Sequence, residues 1–392
     1  MRSRRGRAAA LTAVAILVAG CTPIAGTAVP DPTAMKRFQL NTGNFSTTPR
    51  TVTAGNALDA WQQEGWRIAS AVVPPWDVDT TLGTTGGGDG SSIPMFTATQ
   101  LIKTTDAVTA EQAVALGANG YQTGYLASSH DTADRTRLRI GILRFADEAA
   151  ATRAVAAATA KSPSNTRTVP SDFPVPGASL TLLGTKSNET IVGITTMVPR
   201  GNLVAIAGVR AAGTRDDTDR LLALVGRALA AQVAKLGDYR QTPFDATRAE
   251  IPPVPMDDDG IVGLTQEPKQ AQGSTGLSSN NAPGSGWGDA HAYSLRGHET
   301  VSGLERFGSA GPNTVYRFTD EASAARIFTS WVGDKRETIP GITGQYGGCV
   351  TGQVLTICLI RQGRYIAESV SQTSDASKQL SAAMFLKLRS AK

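Results

Sequence analysis

Three groups of residues in this 392-residue chain are of types that do chemistry. Asp257-Asp258-Asp259-Gly260 carries the acids and the glycine of a calcium loop, which needs oxygen ligands at set positions around a sharp turn. Placing Gly260 at the loop glycine puts Pro255 at the first ligand position and Gln266 where a bidentate glutamate is required, so the run reads as a turn ahead of a helix. His291 and His298, with Asp289 and Glu299, form a His/carboxylate cluster, but their seven-residue spacing fits no zinc pattern. Cys349 and Cys358 bracket Gly352-Gln353, so a hairpin turning there would set them opposite each other. They lack the C-x-x-C spacing of a redox pair and read as a disulfide, and closing this ten-residue loop is worth roughly 2 to 3 kcal/mol. Thr84 to Ser92 is glycine-rich like a phosphate cradle, but no Lys-Ser/Thr follows and no strand-to-helix G-x-G-x-x-G is present. A serine nucleophile has neither G-x-S-x-G nor S-x-x-K around it. Trp61, Trp66 and Trp76 cluster early in the chain; Trp66 and Trp76 could line a ligand groove, or the rings could cover a sheet. No catalytic residue, cofactor or metal is nominated by these patterns.

Location is easier to read. Arg2, Arg4, Arg5 and Arg7 precede an apolar run from Ala8 to Gly20, the layout of a secretory signal, and 13 residues are too few to span a bilayer about 30 Å thick. Removing those four arginines from 38 basic side chains leaves 34 against 33 acidic ones. The formal charge of +5 therefore falls to about +1, and no basic footprint for nucleic acid survives. Val18-Ala19-Gly20-Cys21 resembles the bacterial lipobox, in which small residues precede a cysteine that receives diacylglycerol and becomes the new N-terminus. Cys21 is thus the expected lipidation site, carrying acyl chains such as palmitate, and two chains hold a protein stably on a membrane where one is marginal. An oxidising compartment also suits the Cys349–Cys358 bridge.

The elements that must carry these residues come from an internal duplication. Arg144-Phe145-Ala146-Asp147-Glu148-Ala149-Ala150-Ala151-Thr152-Arg153 returns as Arg317-Phe318-Thr319-Asp320-Glu321-Ala322-Ser323-Ala324-Ala325-Arg326. Leu138, Ile140 and Ile142 lead into the first copy with the period of a strand. Asp147 and Asp320 sit where a helix start needs a side-chain oxygen, and Glu148 and Glu321 put negative charge at the positive end of its dipole. Ala324, Ile327, Phe328, Trp331 and Val332 then line one helical face. Hairpins follow over Ile191–Val209, turning at Gly201-Asn202, and over Leu355–Val370, turning at Gln362-Gly363. Each leads into a final helix, marked by Leu222, Val225 and Leu229 and by Leu380, Met384 and Leu388. Ala57–Val73 has near-helical spacing weakened by Gly65. The expected fold class is α+β: two related units, each an antiparallel sheet with helices on one face, ferredoxin-like or similar, joined by a long loop.

Gly43-Asn44-Phe45 with Thr47 and Pro49, then Arg67-Ile68-Ala69 running into Pro75-Trp76-Asp77-Val78-Asp79, resembles the opening of an uncharacterised family of secreted mycobacterial and nocardial lipoproteins. Pro255-Met256-Asp257-Asp258-Asp259-Gly260-Ile261 resembles the segment that opens the second domain of that actinobacterial family. The chain departs from the family pattern around Gly86–Gly90 and from Gln266 to Gly288. The family has no agreed activity, so the resemblance implies architecture and location only. The expected organisation is a signal peptide at 1–20, a lipidated tether at 21–34, an N-terminal α+β domain at 35–237, a linker and lead-in with a Gly/Ser/Gln-rich loop at 238–289, and a C-terminal α+β domain at 290–392. The expected function is a non-catalytic binding module of the cell envelope, on the extracytoplasmic face of the membrane through its diacylglyceryl anchor. A lipid, a glycan or an envelope protein would be its partner, in a groove between the units. The alternative is an envelope-directed hydrolase or transferase with residues gathered from both domains.

Overall fold

Side-chain alternation along the strands decides how each sheet is covered. The computed structural model describes residues 40–84, 93–103, 107–161, 170–183, 191–212, 218–243, 251–267, 284–287, 303–311, 313–333 and 336–391. Sheet A contains β1 (Ile93–Pro94), β2 (Tyr121–His130), β3 (Thr136–Phe145), β4 (Ser179–Leu183), β5 (Ile191–Arg200) and β6 (Leu203–Ala212), in the order β1-β2-β3-β6-β5-β4. Sheet B contains β7 (Gly284–Trp287), β8 (Leu304–Ala310), β9 (Asn313–Phe318), β10 (Gly347–Thr351), β11 (Thr356–Gln362) and β12 (Tyr365–Ser371). Read from its β7 edge, its order is β7-β8-β9-β12-β11-β10. The two orders are the same, and every pairing is antiparallel. Both sheets belong to one compact unit, Leu40–Lys392.

The helices repeat as well. They are α1 (Ala57–Ala69), α2 (Ala98–Lys103), α3 (Ala110–Ala118), α4 (Glu148–Ala160), α5 (Thr218–Lys235), α6 (Glu321–Val332) and α7 (Ser374–Ser390). Helix α4 follows β3 as α6 follows β9, and α5 follows β6 as α7 follows β12. Asp147 accepts from Ala150 N at 2.6 Å and Asp320 from Ser323 N at 2.7 Å, so both copies of the duplicated stretch cap their helix identically. Even the irregularities match: the register shifts between Tyr121 and Thr123 in one unit and between Leu304 and Arg306 in the other. Among the described residues no helix is long and apolar enough to cross a membrane.

The α+β class and the paired antiparallel sheets stand as expected; in addition, helices cover the second face of each sheet. The reason lies in the strands. In β3, Leu138 and Ile140 pack with α5 while Leu143 and Phe145 pack with α4, so both faces are apolar. In sheet B, Tyr316 and Phe318 pack with α6 and Val315 and Ile360 with α7. The sheets also share a core. Trp66 and Ile68 of α1 and Tyr125 and Ile142 of sheet A form one cluster with Phe307, Tyr316 and Ile366 of sheet B. Ahead of α1, the segment from Leu40 to Val52 lies on the second unit, where Leu40, Phe45 and Val52 pack beside Ile261, Phe385 and Leu388.

Candidate functional site

Helix α1 is buried around most of its circumference, from Ala60 to Trp66 and again at Ile68 and Ala69. It touches β2 and β7, one strand from each sheet. Glu64 is therefore carried into a place where it has 0% exposure, and a carboxylate there must be fully hydrogen-bonded. Arg144 Nη1 and the Tyr239 hydroxyl both donate to Oε1. Thr242 adds its backbone N–H to Oε1 at 3.2 Å and its hydroxyl to Oε2 at 2.7 Å. Arg67 Nε lies 3.3 Å from Oε2 as an ion pair without hydrogen-bond alignment. Arg144 also donates through Nη2 to Thr242 O at 2.8 Å. Burial first, and the Glu64 carboxylate second, push the Tyr239 hydroxyl far above the ordinary phenol range, so it stays a donor.

The duplicated arginine of the second unit is held the same way. Arg317 Nη1 sits 3.0 Å from Asp259 Oδ2 and its Nε donates to Glu305 Oε2 at 3.2 Å. Arg306 Nε reaches Asp259 at 3.2 Å. In each unit, then, a carboxylate from the lead-in segment grips the arginine next to the end of the third strand, β3 or β9: Glu64 holds Arg144, and Asp259 holds Arg317. The other two acids of the run are also committed. Asp257 accepts from Val262 N at 2.8 Å and Gly263 N at 2.7 Å, capping a 3-10 turn at Val262–Leu264. Burial is the leading effect on Asp257 and raises its carboxyl despite those amides. Asp258 accepts from Arg67 Nη1 at 3.2 Å and so ties the run to α1. Among the described residues no group of three or more His, Cys, Asp or Glu could hold a metal ion.

Cys349 and Cys358 are direct partners across β10 and β11, buried, with sulfurs 2.00 Å apart. Trp66 is 8% exposed, with its ring 5.7 Å from Tyr125 and 4.8 Å from Phe307. It lies in the core that α1 and the two sheets share. Trp76 is half-buried on a single helical turn, Pro75–Val78, that packs against α5 and β2. Cys21, His291, His298, Asp289 and Glu299 lie outside the described residues, as do residues 85–92 of the glycine-rich stretch. Glu64, Tyr239 and Thr242 carry no sequence signal. Arg144 and Arg317 do, as the first residue of each duplicated stretch.

No curated protein matches the chain. Among solved structures, the extracellular domain of PknH from Mycobacterium tuberculosis is similar at 11% identity and a TM-score of 0.29, over 42% of this chain and 95% of that one. DynU16, from the dynemicin biosynthetic locus, is similar at 11% identity and a TM-score of 0.12, over 78% of this chain and 96% of that one. Neither likeness carries an argument at these scores. Residues 51–250 match the family described as "Domain of unknown function (DUF7373) N-terminal", and with half of its length so matched the protein belongs to that family.

Proposed function

We propose that this DUF7373 protein is a lipid-anchored, extracytoplasmic interaction module of the cell envelope that binds without catalysing a reaction. The observation that carries the location is the pairing of buried Cys349 and Cys358 directly across β10 and β11, which suits an oxidising compartment, together with the signal and Cys21 at the start of the chain. The non-catalytic reading is supported by how the buried ionisable groups are used. Glu64, Arg144 and Tyr239 are spent on one another at the junction, and Asp257, Asp258 and Asp259 on a cap and three arginines. The partner would meet the outer surface of the two-unit body, since the junction itself is filled.

Two measurements test this. Fractionation of cells expressing Cys21→Ala should move the protein out of the membrane fraction; retention there would sink the anchor. Native mass spectrometry of the wild-type protein purified from its own host should show a co-purifying lipid or glycan, or a bound protein. Turnover of an envelope substrate that is lost in no junction variant would instead place chemistry elsewhere on the surface and end the binding reading.

A further inference from the structure

Where α7 crosses the segment after the Val262–Leu264 turn, two cations converge on one residue. Lys387 has 0% exposure, and its Nζ donates to Thr265 O at 2.6 Å. Arg50, half-buried on the Leu40–Val52 segment, donates through Nη2 to Thr265 Oγ1 at 3.4 Å, and its Nε is buried without a hydrogen-bond partner. An ammonium has three donors and a guanidinium five, so most of this capacity is unspent. Among the described residues no carboxylate is within ion-pair distance of either group. Glu267, exposed beside them, acts on both from farther away, and Asp257 acts on Arg50 only. Burial first and the Arg50 charge second lower the Lys387 amine to about 8. A water could occupy a spare donor but would add no negative charge beside the two cations, which only the more distant carboxylates offset.

We propose that Arg50 and Lys387 form a binding site for a small oxyanion of the phosphate or sulfate class, between the Leu40–Val52 segment and α7. The anion supplies the missing counter-charge and takes the free N–H groups of both side chains. It enters on the side where Arg50 and Glu267 reach solvent. This inference is independent of lipid anchoring and of the envelope reading.

The test is thermal unfolding of the full chain at pH 7, titrated with sodium sulfate and with sodium phosphate against chloride at matched ionic strength. A rise in Tm that follows ln(1 + [anion]/Kd) is expected, about 2 °C at tenfold excess over Kd. The rise should vanish in Lys387→Met and in Arg50→Gln, the second of which sits at the open side and leaves the α7 core intact. Glu267→Gln should give the same rise at a lower anion concentration, a gain that a purely structural cluster would not produce. With sulfate, whose charge is constant, the response should fade as pH passes about 8 and Lys387 loses its proton. No rise, or a rise that is equal in all variants, overturns the proposal. A parallel titration with glycerol phosphate separates the sources: a larger rise than inorganic phosphate gives at the same concentration marks an esterified headgroup, and an equal or smaller one a free anion.

Discussion

A charge taken out of water keeps its fold only while its partners replace the lost solvent, and Glu64 shows how close that balance is. Its two oxygens take four hydrogen bonds and a fifth contact from Arg67. Glu64→Gln and Arg144→Met should each destabilise the protein by about 3–5 kcal/mol in denaturant unfolding, because each strands the other charge. The double variant should cost clearly less than the two singles together, and simple additivity would show that the groups do not act as a pair. Lys387 behaves in the opposite sense. Its amine is lowered from 10.5 to about 8 in the folded chain, so between those values the unfolded chain binds more protons and stability rises with pH. The gain is on the order of 2–3 kcal/mol from pH 8 to 10.5. Lys387→Met should flatten that rise, measured as urea midpoints across the interval. None of these roles is legible in sequence, since a lone glutamate or lysine on an amphipathic helix is ordinarily a solvated face.

Helix α1 shows why an element can be legible while its purpose is not. Its spacing predicts a helix, and Gly65 weakens the prediction by about 1 kcal/mol relative to alanine. The glycine is there for contact: a Cβ on Gly65 would lie 2.7 Å from Pro94 Cβ and 3.0 Å from Gly124 O. Propensity says Gly65→Ala should stabilise; packing says it should force α1 off β2, at a cost of about 1–3 kcal/mol. Packing wins, because Gly124 O is backbone and cannot turn aside. A lowered thermal midpoint in Gly65→Ala is expected, and a raised one would reverse the ranking. The duplicated stretch is the converse case. Its Arg-Phe pair, its aspartate cap and its helix are readable in the sequence because they are local, whereas the carboxylate that each arginine meets comes from 80 residues away for Arg144 and 58 for Arg317.

At the scale of the whole molecule the two units are one body. Trp66 packs edge-on to Phe307 across the junction, inside a core drawn from both sheets. Unfolding should therefore be a single calorimetric transition, and Phe307→Ala should lower it by removing about 3–5 kcal/mol. Two resolved transitions in the wild type would show that the shared core does not couple the halves. By itself the sequence determined the α+β class, the duplication, the helix starts and the hairpin that opposes Cys349 to Cys358, because each depends on residues a few positions apart. Tertiary structure alone decided that both faces of each sheet are covered, that α1 packs in a core shared by the two sheets, and that the Leu40–Val52 segment lies on the second unit. Those outcomes are contacts between segments distant along the chain, and one-dimensional periodicity records that a face is apolar without recording what buries it.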